Sequence, residues 1–201
     1  MNLNDLHRRL LADVLAIGTP YPLVITGGYA VQAHGLVDRF SQDLDVATGR
    51  PADRNGALSG RLIASDLDTG EECEVDVLKE AFWGKPTETQ YGPVLALDDV
   101  IGTKVRALAD RGAVRDLIDV HAASRHRSNA DLETLGRRHA RFEFSLQDLR
   151  DRLAGAEWWD DLDFTAYGLS PEQLTDLRTW ALAWAADLDA RLHADEGPDE
   201  D

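Results

Sequence analysis

Residues 43–46 read Asp43-Leu44-Asp45-Val46, and this alternation of acid and apolar residue is that of a strand with one buried face. Side chains two apart in a strand share a side, so Asp43 and Asp45 project together while Leu44 and Val46 enter the core. Two carboxylates on one side repel unless a positive charge lies between them. A hard dication answers this, and Mg2+ favours one or two carboxylates plus substrate phosphates. A third acid is bracketed in the same way in Val75-Asp76-Val77. A strand pairing there beside residues 44–46 would bring Asp76 to the other two. Three convergent acids around Mg2+ suit phosphoryl or nucleotidyl transfer. The plain alternative is three acids on a solvent-facing strand surface.

The residues upstream strengthen the chemical reading. Leu23-Val24-Ile25-Thr26 is a short β-branched strand that ends on Gly27-Gly28, and a helix is expected over 28–36. Paired glycines at such an entry let backbone N–H groups approach a phosphate closely. Arg39 and Ser41 lead into the acids as Arg39-Phe40-Ser41-Gln42-Asp43. A guanidinium and a hydroxyl are natural phosphate ligands. Before all of this, leucines and valines at helical spacing predict a helix over 4–17, with Asn4 as its cap and Gly18 as its stop.

Downstream, 51–60 reads as a loop. Residues 61–65 and 73–78 flank the polar turn Asp66-Leu67-Asp68-Thr69-Gly70, the pattern of an antiparallel hairpin. Residues 94–97 lead into Asp98, an N-cap for a helix to about 110, and further helices are expected over 114–125, 131–140, 145–154 and 170–193. Ser170 as cap and Pro171 at the first helical position mark the last start. Lys104, Leu108 and Arg111 share one helix side, and Asp116 and Asp119 share a side of the next. Lys104 is one of three lysines beside eighteen arginines, and it sits in a largely apolar helix. A solvated surface charge is the plain alternative for Lys104, and helix–helix salt bridges are that for Arg115, Asp116 and Asp119. Trp180 and Trp184 fall on one helix face with Leu177 and Leu188, which points to core packing. The histidines show no metal-ligand spacing.

Composition bounds the reading. The chain has 201 residues, 21 Lys+Arg against 37 Asp+Glu, a net charge of −16 and 43% hydrophobic residues, which excludes a mainly disordered chain. One cysteine, Cys73, excludes an internal disulfide and a multi-thiolate zinc site. No apolar run reaches a membrane span and no signal-peptide pattern opens the chain, so a cytoplasmic protein is expected. The charge is uneven: −8 over 1–100, +3 over 101–145 and −11 over 146–201. A basic centre between acidic flanks could hold an anionic ligand that the whole chain would repel. The fold class is α+β, a mixed sheet with flanking helices followed by an all-helical half. The divisions fall at 1–110, 111–193 and a flexible acidic tail over 194–201, and the two halves are expected to pack as one body.

Read together, Thr26-Gly27-Gly28, Asp43-Leu44-Asp45-Val46 and Val75-Asp76-Val77 resemble the minimal nucleotidyltransferase signature. More narrowly, Gly27 through Gly35, Arg39-x-Ser41-x-Asp43-x-Asp45, Lys104-x-x-Ala107-Leu108-x-x-Arg111 and Arg115-Asp116-x-x-Asp119 are similar to the AbiEii/AbiGii toxin family, which includes the MenT toxins. The resemblance spans roughly 20–125. Thr26 stands where a hydrophobic residue is usual, and Tyr29 where a small one is.

The resemblance implies a nucleotidyltransferase-like sheet and transfer of a nucleoside monophosphate from an NTP to an RNA acceptor, the tRNA 3′ end in characterised relatives. It implies Asp43 and Asp45 as Mg2+ ligands, joined by Asp76, which would also help activate the acceptor hydroxyl. Gly27, Gly28, Arg39, Ser41 and Lys104 would bind the triphosphate, and Asp119 would be the acid of the fourth motif. An antitoxin encoded nearby is the implied partner. A small-molecule acceptor of the antibiotic-modifying type and a non-catalytic nucleotide-binding module are the alternatives.

Overall fold

A computed structural model describes residues 1–18, 21–49 and 59–195. Of the loop expected over 51–60 and the tail expected over 194–201, residues 51–58 and 196–201 lie outside the described residues, while 59–60 begin a strand and 194–195 end a helix. The chain divides into two units, Met1–Val100 and Ile101–Asp201.

The first unit is built on a six-stranded mixed sheet. Helix α1 (Asp5–Ile17) comes first, and Asn4 caps it by accepting the His7 N–H at 2.7 Å. Strand β1 (Leu23–Ile25), helix α2 (Gly27–Ala33) and strand β2 (Leu44–Thr48) follow. Strands β3 (Ser59–Ser65) and β4 (Glu72–Lys79) form the expected hairpin, and β5 (Thr87–Thr89) and β6 (Gly92–Val94) form a second. The strand order is β3-β4-β2-β1-β6-β5. Strand β1 pairs antiparallel with β2 and parallel with β6, and β2 pairs parallel with β4.

The alternation read at residues 43–46 is realised. Leu44 and Val46 are fully buried and join Val24, Ile25, Val75 and Val94, while Asp45 keeps partial exposure. Asp43 lies just before the strand begins. In the β3–β4 turn, Asp66 accepts the N–H groups of Asp68 and Thr69 at 2.9 and 3.1 Å, and Gly70 takes the left-handed φ of +72° that closes the turn.

Helix α3 (Leu97–Arg111) carries the division between the units. The second unit continues with α4 (Val114–Ala123), α5 (Asn129–His139), α6 (Leu146–Ala154), a 3-10 turn (Gly155–Glu157), α7 (Asp161–Thr165) and α8 (Pro171–Asp195). Ser128 and Asp131 form a capping box on α5, and Ser145 caps α6. Helix α6 packs along α8, and α4 also meets α8. Leu117, Leu132, Leu149, Phe164, Leu177, Trp184 and Leu188 make its core. Trp184 is buried as expected and donates its indole N–H to Glu133 at 3.1 Å. Trp180 is half-buried and lies 5.3 Å from it, ring to ring.

The β5–β6 hairpin and α7 were not anticipated. Their strands and helix are three to five residues long, shorter than the window in which a hydrophobic period can be seen. Among the described residues no helix is long and apolar enough to cross a membrane.

Candidate functional site

The first unit gathers one set of the expected residues around the start of α2. Gly27 adopts φ +60°, a left-handed conformation that a side chain rarely takes. A Cβ built on Gly27 would overlap the Asp45 carboxylate, falling 2.5 Å from its Cγ and 2.7 Å from its Cβ. The Asp45 side chain therefore lies directly on the Gly27 backbone. The Asp45 carbonyl also accepts the Thr26 N–H at 3.0 Å, which ties β2 to the entry of α2. A Cβ on Gly28 would stand 2.5 Å from Ser41 Oγ and 3.8 Å from Arg39 Nη1. Five of the expected residues, Gly27, Gly28, Arg39, Ser41 and Asp45, thus converge on a few ångströms of backbone. Ser41 Oγ donates to the Asp43 carbonyl at 3.1 Å and sets the turn into the strand.

Asp43 belongs to the same neighbourhood electrostatically. Burial first, and then the negative charges of Asp43, Asp45 and Glu74, push the Cys73 thiol above its ordinary pKa. The donor set suits a hard dication. Two carboxylates two residues apart lie at the start of β2, one of them in a cradle that any Cβ would fill.

Asp76 is placed differently. The register puts it opposite Asp45 on the neighbouring strand. Across the hairpin, however, it faces Arg61, which donates to both of its oxygens at 2.8 and 2.7 Å and also contacts Glu74 at 2.9 Å. Among the described residues no three acidic, histidine or cysteine side chains gather as a group that could hold a metal ion. Asp76 thus lies opposite Asp45 across the strand pair while its carboxylate is engaged by Arg61. Asp76 has an arginine as its counter-charge because β3 pairs in a register that sets Arg61 beside it.

The second unit gathers the other set. Lys104 on α3 is 7% exposed, and its Nζ lies 2.8 Å from Asp119 Oδ2 and 3.8 Å from Asp116 Oδ1. Asp116 is fully buried on α4 and accepts a fork of hydrogen bonds from Arg111, Nε at 2.7 Å and Nη2 at 2.9 Å. Two buried carboxylates are thus matched by two cations, which is how such charges survive away from water. The ion-pair reading of this group is realised, and the paired lysine is the residue that the family resemblance selects.

Three residues outside the expected set contribute to the first group. Arg61 is one. The other two are His7 on α1 and Tyr29 on α2, which share a buried hydrogen bond of 2.5 Å. Tyr29 carried a signal in the sequence, as a large residue where the motif has a small one.

Titration of two histidines, His7 buried and His121 partly so, sets a pH dependence of stability. Burial pulls the His7 pKa below its ordinary value, opposed by the charges of Asp43 and Glu71. Burial likewise lowers that of His121, where Asp176 opposes and Arg125 assists. The folded protein then binds fewer protons than the unfolded chain, so stability is complete above about pH 6.5 and is lost as pH falls through the lowered folded values. The limiting slope is ~1.4 kcal/mol per pH unit for each histidine. Urea unfolding midpoints between pH 8 and 5 should fall on the acid side, and His121→Gln should flatten that fall.

Comparison with known proteins agrees with this architecture. The family model of the nucleotidyl transferase AbiEii toxin, of a type IV toxin–antitoxin system, matches residues 66–188. That span includes Asp76, Lys104, Asp116 and Asp119, while the residues around Gly27 and Asp45 lie upstream of it. A search of curated proteins finds none that matches. Among solved structures, JHP933 from Helicobacter pylori is 18% identical, with a TM-score of 0.56 over 96% of this chain and 97% of that one. MenT4, a nucleotidyltransferase toxin from Mycobacterium tuberculosis, is 19% identical, with a TM-score of 0.51 over 92% of this chain and 86% of that one. These likenesses show a shared fold over nearly the whole chain. The chain belongs to the AbiEii family, the nucleotidyltransferase toxins of type IV toxin–antitoxin systems.

Proposed function

We propose that the protein transfers a nucleoside monophosphate from an NTP to an RNA acceptor, the 3′ end of tRNA, with release of pyrophosphate, and so inhibits translation in the cytoplasm. The observation that carries this reading is the close approach of Asp45 to Gly27 and of Ser41 and Arg39 to Gly28. Glycine at both positions lets a guanidinium, a hydroxyl and a carboxylate crowd one stretch of backbone, and a triphosphate is the ligand chemistry that matches them. Arg39 and Ser41 would bind the triphosphate over the glycines and hold the α-phosphate in line with the acceptor hydroxyl. Asp43 and Asp45 would hold Mg2+, which when bound offsets charge on the α-phosphate and on the leaving pyrophosphate. Lys104 and Asp119 keep their assignments to triphosphate and fourth-motif acid on the strength of the family motif. The net charge of +3 over 101–145 favours a nucleic acid over a neutral acceptor. A cognate antitoxin is the proposed protein partner.

Incubation with each labelled NTP, Mg2+ and total tRNA should label the RNA. Chelation of the metal and Asp45→Ala should abolish the label, a loss of at least about a hundredfold for a group acting at the reacting phosphate. Folded protein that transfers none of the four nucleotides to any RNA would overturn the reading. A net charge of −16 favours a cationic small molecule as the second acceptor class, and it would appear as a labelled small adduct with the RNA unlabelled.

A further inference from the structure

The buried pair of His7 and Tyr29 lies beneath the residues assigned to the triphosphate. His7 is 4% exposed on α1 and Tyr29 is 1% exposed on α2. Their rings meet edge to face with centroids 5.7 Å apart, and His7 Nδ1 lies 2.5 Å from the Tyr29 hydroxyl. That hydroxyl reaches on to the Ser41 carbonyl, to which it donates a long bond of 3.5 Å. With the tyrosine hydrogen on the carbonyl, the tautomer that completes the chain is the one in which His7 Nδ1–H donates to the tyrosine oxygen. Ser41 in turn donates from Oγ to the Asp43 carbonyl at 3.1 Å and sits against Gly28.

Two polar rings buried in an apolar core cost free energy that a Phe–Leu pair would not. Their hydrogen bonds end at one place, the backbone of the segment that carries Arg39, Ser41 and Asp43. Burial pushes the Tyr29 phenol up to about 12, so it stays protonated and able to donate throughout the physiological range.

We propose that His7 and Tyr29 are positioning residues, a hydrogen-bonded strut from α1 through α2 that holds residues 39–43 in the conformation that receives the nucleotide triphosphate. The proposal rests on the nucleotidyltransferase reading of this site. Neither residue touches the substrate. Both act through Ser41. The strut also explains why a large aromatic residue occupies position 29, since a small side chain there could not span from His7 to the Ser41 carbonyl.

The test uses the full chain with Tyr29→Phe, His7→Leu and His7→Asn. The asparagine can supply a donor near the place of Nδ1. Amide hydrogen exchange over 39–43 and the KM for Mg·NTP in the tRNA-labelling assay are measured alongside the thermal midpoint. Tyr29→Phe and His7→Leu should speed exchange over 39–43 and raise KM roughly fivefold, the value of one hydrogen bond, with kcat changed less. His7→Asn should restore both. A merely structural pair would lower the thermal midpoint and leave exchange at 39–43 and KM in step with the rest of the molecule. Unchanged exchange over 39–43 in Tyr29→Phe overturns the strut whether or not nucleotide binds. Failure of the unmodified protein to bind Mg·NTP overturns the functional reading, and with it the purpose of the strut, even if exchange rises in the variants.

Discussion

Gly27→Ala is expected to abolish nucleotidyl transfer while leaving a folded protein. Two independent costs fall on this one methyl group. The φ of +60° is strained for any L residue, by about 1 kcal/mol. The larger cost is spatial, since the added Cβ would stand 2.5 Å from the Cγ of Asp45, which must then leave its place. Displacing a reacting group by about an ångström costs on the order of a hundredfold in rate, so labelling should fall at least that far. Gly70→Ala is the matched control. It has a similar φ of +72°, and a Cβ there would meet nothing within 4 Å. It should lose about 1 kcal/mol of stability and keep its activity. Equal activity of the Gly27 and Gly70 variants would remove the argument that the glycine entry exists to seat Asp45 and a phosphate.

The largest effect on stability is expected at Lys104. Lys104→Met removes the ammonium that lies 2.8 Å from Asp119 and 3.8 Å from Asp116, both buried carboxylates. Breaking a buried pair by removing one partner costs about 3–5 kcal/mol, enough to shift the urea midpoint of a domain of this size strongly. Arg111→Gln should cost less, because half of that side chain is in water and Lys104 still lies near Asp116. The double variant Lys104→Met with Asp119→Asn separates structure from chemistry. It restores charge balance and should recover most of the lost stability. Recovered stability without recovered labelling supports a role in transfer for the Lys104–Asp119 pair. Recovery of both assigns Lys104 to the fold alone.

Much of the first unit was legible because its signals are local. Alternation in Asp43-Leu44-Asp45-Val46 reports a strand with one buried face, and the structure buries Leu44 and Val46 accordingly. The Asp66–Gly70 turn, the Asn4 cap and the Pro171 start are likewise matters of one or two turns of chain, in which side chain and backbone meet through neighbouring residues.

What tertiary structure decided is what depends on partners far away in sequence. The sequence allows Asp76 to point with Asp45, and the parallel pairing of β2 and β4 does set them opposite each other. Only the register of β3 against β4 reveals that Arg61 holds both oxygens of Asp76. The His7–Tyr29 bond joins residues on two different helices, and no period in the sequence links them. Hydrophobic and turn patterns are set by chemistry within a few residues, so the chain displays them on its own. The choice of counter-charge for a carboxylate, or of hydrogen-bond partner for a buried ring, is made only when the strands and helices have packed.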